Sequence, residues 1–300
     1  MLYWSDENDF INKTQHLPNI HILETMATFS CTLACKFCTN YSDYNMRGGY
    51  VKWDQMQIWL DKLFSRLTVD NFHIIGGEPF LNPELKLWVN SFKERYPYIR
   101  LKVVTNGTLL KSNWWILDSM TKYNKLILEI SNHQPDLNYV NEAKDKILNH
   151  FKWELEYSNH YATQWNSYEN DLNFIISNNS HFLKTYKNDY GNMKPYNNNP
   201  AQAFDICVQQ QCPLLVDGKL FKCSTVGLLD RVLKDHNQLN DPDWQEFLNT
   251  GLSIDCTNDE LSQYVSNYGK PNAICKMCPV LADEPYQRHT STFKSSFKLD

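Results

Sequence analysis

The sequence predicts an α/β fold, a partial (β/α)6 TIM-like barrel followed by a small cysteine-rich C-terminal domain. Three observations predict it. Short apolar strands alternate with helix-length periodic segments from residue 19 onward, the pattern of parallel βαβ units. Segments bearing Gly, Asn and Cys follow those strands, where barrels of this kind carry their active sites. The nine cysteines divide sharply: three lie at 31–38, none from 39 to 206, and six between 207 and 278.

Taken in order, residues 1–18 form a polar N-terminal extension, and Ile20-His21-Ile22-Leu23-Glu24 reads as the first strand, leading into a cysteine-bearing loop. Trp53 to Leu67 places Met56, Ile58, Trp59, Leu60, Leu63, Phe64 and Leu67 at helical spacing. Phe72 to Ile75 is a buried strand ending at Gly76-Gly77, and Pro83 to Tyr96 a helix with proline in its first turn. Leu101 to Val104 is a strand closed by Asn106-Gly107, and Trp114 to Tyr123 a helix. Leu126 to Ile130 is the fourth strand, Tyr139 to Phe151 a helix, and Trp153 to Tyr157 a fifth strand. A sixth strand is expected at Phe174-Ile175-Ile176, and Tyr186 to Pro200 reads as loop. The barrel is thus assigned to 19–203, a hairpin- and cysteine-rich domain to 204–288, and a polar tail, read as mobile, to 289–300.

Composition narrows the function. At 300 residues, 42% hydrophobic and 21% charged, the chain buries enough surface to need no disulfide staples. A net charge of −5 argues against duplex nucleic acid as a partner. No apolar run approaches the ~20 residues of a membrane span, and Met1 to Gln15 lacks the basic and apolar regions of a signal peptide. The expectation is a cytoplasmic protein, in which nine cysteines point to metal or redox chemistry before disulfides.

Cys31-Thr-Leu-Ala-Cys35-Lys-Phe-Cys38 has C-x3-C-x2-C spacing. Three thiolates can cap three irons of a cubane and leave the fourth open, as substrate-binding metal sites require. A zinc site is the alternative, and would need a fourth ligand such as His73, which sits within a strand. With Phe37 before the third cysteine, the segment resembles the hallmark of the radical S-adenosylmethionine (SAM) superfamily. That resemblance implies Cys31, Cys35 and Cys38 as catalytic ligands of a 4Fe–4S cluster whose open iron is chelated by SAM. It further implies reductive cleavage of SAM to methionine and a 5′-deoxyadenosyl radical, with flavodoxin or ferredoxin as electron donor.

Further segments support the resemblance. Gly76-Gly77-Glu78-Pro79 follows the second strand. Its glycines permit close approach of a ligand to the backbone, and Glu78 can accept hydrogen bonds from an ammonium. The alternative is a tight turn before a helix. The string resembles the family's SAM-amino-group motif. Thr105-Asn106-Gly107-Thr108-Leu109 is a turn by its Asn-Gly pair and resembles the corresponding segment of peptide-modifying members. Ser131 follows the fourth strand, where relatives contact SAM; the usual Leu-Asp-Gly is here Asn132-His133-Gln134. His133 is placed to face the pocket, although a lone loop histidine is more often a surface group. Phe37, Gly76, Gly77, Glu78, Pro79, Thr105, Asn106 and Ser131 form the expected cofactor-binding set.

In the second cysteine group, Asp217-Gly218 suits a type I′ hairpin in which paired residue numbers sum to 435. Cys212 then faces Cys223, and Cys275-x2-Cys278 can supply two more ligands. Zinc or a Cys212–Cys223 disulfide are the alternatives. The spacing resembles the twitch form of the SPASM extension, which holds an auxiliary 4Fe–4S cluster. By the family spacing Cys207 is the first ligand, by the hairpin Cys212 is, and both stay open; Cys256 has no motif around it.

The resemblance implies an oxidoreductase that abstracts hydrogen from a peptide side chain or a small metabolite, with the auxiliary cluster assisting oxidation or anchoring substrate. The short segment before the first strand weakens the peptide assignment and leaves a sugar, aminocyclitol or nucleotide as the main alternative substrate. A non-catalytic module stabilised by zinc at both cysteine groups is the competing function.

Overall fold

The structure, a computed structural model, describes residues 6–133, 138–159, 162–167, 172–178, 181–288 and 290–295. Helix α1 (Glu7–Thr14) opens it, capped by Asp6, whose carboxylate accepts the Asp9 N–H at 2.9 Å. Strands β1 (Asn19–Met26) and β2 (Leu33–Cys35) flank the entry to the cysteine loop. Helix α2 (Trp53–Phe64), β3 (Thr68–Ile75), α3 (Leu85–Arg95), β4 (Arg100–Thr105), α4 (Trp115–Lys122), β5 (Leu126–Asn132) and α5 (Asn138–Phe151) follow in alternation. Beyond them come β6 (Glu154–Ser158), β7 (Ala162–Ser167), β8 (Leu172–Asn178) and β9 (His181–Leu183). The remaining strands are β10 (Leu214–Val216), β11 (Lys219–Phe221), β12 (Leu252–Ser253), β13 (Tyr286–Arg288) and β14 (Ser291–Phe293).

Ten strands form one sheet in the order β12-β11-β10-β1-β3-β4-β5-β8-β7-β6. The ladders from β10 through β8 are parallel, and the outer ones antiparallel. The fold is therefore mixed α/β with a mainly parallel sheet. Period-two alternation sets its two faces. Phe72 and Ile74, Leu101 and Val103, Leu126 and Leu128, and Phe174 and Ile176 all belong to the main buried core. The helices pack there; Phe72 of β3 stacks on Phe92 of α3 with centroids 4.8 Å apart. Helix α2 has no side-chain cap of its own, and Glu84 Oε2, from the segment before α3, accepts the Trp53 N–H at 2.7 Å.

Two expectations change. The segment expected as the fifth barrel strand, Trp153 to Tyr157, is strand β6, but it lies at the outer edge, antiparallel to β7. The fifth parallel strand, beside β5, is β8, where the sixth was expected. Its Phe174 is fully buried and Ile176 nearly so, which supplies the apolar face that a strand beneath helices needs. The tail also departs from expectation. Residues 291–293 are a strand paired with β2, in the register Ser291↔Cys35, Thr292↔Ala34 and Phe293↔Leu33. Residues 289 and 296–300 of that tail, and 1–5 of the N-terminal extension, lie outside the described residues.

The β10–β11 hairpin has the expected register, Leu214↔Phe221, Leu215↔Leu220 and Val216↔Lys219. Asp217 and Gly218 both have positive φ (50° and 68°), as a type I′ turn demands. Through β10 on β1, the C-terminal region continues the main sheet. It shares a second core with the cysteine loop, in which Phe29 and Tyr41 pack with Leu214, Leu229 and Trp244. Among the described residues no helix is long and apolar enough to cross a membrane.

Candidate active site and second cysteine pocket

Cys31, Cys35 and Cys38 all line one cavity of about 340 Å³ at the C-terminal ends of the parallel strands. The loop carrying them is bent by its own backbone: Cys38 N–H donates to Cys35 O at 3.1 Å, and Phe37 between them takes φ 65°. Gly76, Gly77, Thr105, Asn106 and Ser131 line the same cavity. Phe37, Glu78 and Pro79 are not in its lining. The Phe37 ring lies beneath the ammonium groups of Lys36 and Lys184, and Pro79 starts a short 3-10 helix.

The glycine pair answers to a neighbouring backbone. A Cβ on Gly77 would stand 2.1 Å from Ser30 O and 2.9 Å from Cys31 Cβ, and one on Gly76 would stand 2.8 Å from Thr28 O. The turn and the cysteine loop are joined there, Gly77 N–H donating to Thr28 O at 3.0 Å and Glu78 N–H to Ser30 O at 2.8 Å. Glu78 is fully buried. It accepts from Thr105 Oγ1 at 2.7 Å, Asn106 N at 2.8 Å and Phe80 N at 3.2 Å. Three of roughly four acceptor positions are thus taken by the protein. Burial pushes its carboxyl up to about 7, against the pull of those three donors.

Asn106 closes the circuit. Its Nδ2 donates to Thr32 Oγ1 at 3.0 Å and to Cys31 Sγ at 3.5 Å, while its Oδ1 accepts from Thr108 N at 3.0 Å. Gly107 takes φ +83°, so the Asn-Gly turn is real and it also serves the cysteine loop. Asn40, which the sequence did not single out, lines the cavity and donates to Gly76 O at 3.3 Å. Its Oδ1 is buried without a hydrogen-bond partner.

Burial raises all three thiols, Cys31 to about 12 and Cys38 to about 11, with Cys35 well above its usual value. Metal binding requires thiolates, so each would have to lose its proton if these cysteines hold iron. Below those values, apparent affinity should rise by up to about tenfold per thiol per pH unit. Iron retained after anaerobic reconstitution and desalting should therefore climb steeply between pH 7 and 9, and a flat profile would contradict the three-thiolate assignment.

The stretch from 26 to 152 matches the family model described as the radical SAM superfamily. It is a radical SAM domain. The matched residues run from the end of β1 to α5 and contain the three cysteines, the glycine pair and the Asn106 turn. A comparison with curated proteins returned no match. Solved structures similar to the chain include SuiB of Streptococcus suis bound to its precursor peptide SuiA, at 19% identity and TM-score 0.34, covering 42% of this chain and 27% of that one. Another is BtrN in complex with AdoMet and 2-DOIA, at 15% identity and TM-score 0.46, covering 86% and 92%. A third is anSMEcpe with AdoMet and the Cp18Cys peptide, at 18% identity and TM-score 0.34, covering 45% and 41%. The chain spans about a third or less of the SuiB chains it resembles.

Beneath the cysteines, the radical SAM domain carries a row of polar side chains where a packed barrel interior would have Val, Ile or Leu. Glu24, His73 and Lys102 stand side by side on β1, β3 and β4 in direct register, and Glu129 follows on β5. All four line the cavity. Lys102 Nζ pairs with Glu129 Oε2 at 2.9 Å, and Ser177 Oγ donates to Glu129 Oε1 at 2.8 Å. His73 Nδ1 lies 3.7 Å from Glu24 Oε1, and burial holds its basicity below that of an ordinary histidine. The sequence signal for this row was slight: isolated ionisable residues within strands otherwise rich in apolar ones.

Cys207, Cys223, Cys275 and Cys278 line a second, enclosed pocket with Phe204, Lys222, Ile274 and Met277. Cys212 is not in that lining; its charge neighbours are Glu24, Cys207, Lys102 and Cys223, which puts it between the pocket and the polar row. The hairpin ladder that was to bring Cys212 opposite Cys223 stops at Leu214 and Phe221. Pro213 has no N–H to extend it, and Cys223 turns directly into a short helix. Cys256 lines neither cavity and packs against the main core. Among the described residues no three His, Cys, Asp or Glu side chains converge closely enough to hold a single metal ion. Four cysteines around one pocket are a donor set that could hold either an iron–sulfur group or zinc.

Proposed function

We propose that this protein reductively cleaves SAM and takes a hydrogen atom from a small polar substrate held over the Glu24–His73–Lys102 row. The observation that carries the proposal is the shared cavity: three cysteines, the glycine pair, Asn106, Ser131 and the polar row open onto one space. Cys31, Cys35 and Cys38 would hold a 4Fe–4S cluster, which, reduced by a flavodoxin or ferredoxin, would supply the electron for the reductive cleavage of SAM. Cys207, Cys223, Cys275 and Cys278 would hold a second cluster, which would supply an electron acceptor for the oxidation of substrate.

The chain's own groups do the rest. Asn106 and Glu78 hold the cysteine loop against the strand ends. Asn40 and Ser131 stand in the cavity wall. Glu24 and neutral His73 are placed to receive a proton lost from substrate. A polar substrate keeps Lys102, Glu129 and Glu24 hydrogen-bonded, whereas an apolar peptide side chain would desolvate them without compensation. That favours a small metabolite over a peptide.

The test is anaerobic. Reconstituted, reduced protein with SAM should form 5′-deoxyadenosine, and a peptide-free small-molecule extract should stimulate it. Cys223→Ala should retain SAM cleavage while lowering oxidised product severalfold. Glu24→Gln should blunt the stimulation alone. No 5′-deoxyadenosine from iron-loaded protein would reject the function, and stimulation by a peptide fraction only would reject the substrate class.

A further inference from the structure

We infer that residues 290–294 belong to the first cysteine site, clasping its loop and tuning the cluster through Ser291 and Lys294. This rests on the proposed iron site and adds to it a part that the match over 26–152 does not contain.

The contact is continuous. Lys36 N–H donates to Thr290 O at 2.9 Å, and Lys294 N–H donates to Thr32 O at 2.9 Å. Between them β14 pairs residue by residue with β2, from Ser291↔Cys35 to Phe293↔Leu33. The loop segment 32–36 is thus held along its whole length by a strand more than 250 positions away, and so gains a neighbour that shields its sulfurs from water.

One side chain of the clasp reaches a ligand, and a second is buried nearby. Ser291 Oγ lies 3.2 Å from Cys35 Sγ. Once that sulfur is a thiolate, only the hydroxyl can donate. Lys294 is 9% exposed and hydrogen-bonds Tyr44 O at 2.7 Å. Lysines are almost never this buried unless paired. The titratable groups around Lys294 are Cys31, Asp43, Cys38 and Cys35. Asp43 in turn accepts from Tyr190 Oη. A buried ammonium beside three thiols is costly in metal-free protein and becomes compensated when they carry negative charge.

Hydrogen bonds to cluster sulfurs, net charge and solvent exposure set the potentials of iron–sulfur groups. A hydroxyl donor and a cation both stabilise the more negative, reduced form. Ser291→Ala and Lys294→Met should therefore move the midpoint potential to more negative values, with Ser291→Thr and Lys294→Arg restoring most of the shift. Thr292→Pro removes a ladder N–H and should speed iron loss on exposure to air severalfold. The readouts are an EPR-monitored redox titration of the signal that SAM perturbs, and iron retained over time, with circular dichroism confirming folding. Iron bound with unchanged potential and retention in Ser291→Ala, Lys294→Met and Thr292→Pro overturns the clasp alone. Wild-type protein that takes up no iron on these cysteines overturns the functional proposal and the clasp with it.

Discussion

Cys35→Ala should leave a folded protein that has lost the iron of its first site and forms no 5′-deoxyadenosine. Cys35 is 6% exposed and its neighbours in the ladder are backbone, so removing one sulfur leaves little to rearrange. Two remaining thiols are too few to retain a cubane. Iron should fall from about eight to about four per chain, and SAM cleavage by at least about a thousandfold. The second pocket lies elsewhere and should keep its iron. Iron analysis beside chromatographic measurement of 5′-deoxyadenosine decides the matter: turnover persisting in this variant would place the chemistry somewhere else.

Gly77→Ala should be the most damaging single methyl group in the molecule. The added Cβ would lie 2.1 Å from Ser30 O and 2.4 Å from Ser30 C, both backbone atoms that cannot swing aside. Relief means parting the turn from the cysteine loop and losing the hydrogen bonds from Gly77 N and Glu78 N. Overpacking of this kind costs about 1–3 kcal/mol, and two lost backbone bonds add about 1 kcal/mol each. Gly49 provides the control. It has φ +63° but open space around its Cβ position, so Gly49→Ala carries only the backbone penalty of about 1 kcal/mol. Denaturant melts of both variants should differ by about 2 kcal/mol or more, with first-site iron lost in Gly77→Ala alone. Equal melts would mean that the glycine serves a ligand and not the loop.

The parts legible in the sequence share a property: each is local. The Asn106-Gly107 turn and the turn end of the hairpin, whose paired numbers sum to 435, depend on a few neighbouring residues and are found as read, and the cysteine spacing is equally local. What escaped depends on distant segments. That β8 and not β6 lies beside β5 follows from which strand offers Phe174 and Ile176 to the helices, a choice made only in the assembled sheet. The Glu24–His73–Lys102 row becomes a feature when three strands align; in the chain it is single ionisable residues amid apolar ones. Pro213, plainly visible, falls where the hairpin ladder stops short of Cys212, and Cys207, to which the family spacing pointed, lines the second pocket. The clasp left no trace, because three residues of Ser, Thr and Phe carry no periodicity.

The pairing of Cys35 with Ser291 spans 256 positions of chain. A ribosome adding about 5–20 residues per second needs roughly ten seconds to a minute to cover that distance. Throughout that interval the cysteine loop has emerged but its covering strand has not, leaving three thiols open to oxygen and to stray copper or zinc. Delivery of iron and sulfide is thereby tied to a late moment in the protein's birth, after residue 294 has left the exit tunnel, and expression with iron and sulfide assembly machinery in step with translation should raise the holoprotein fraction.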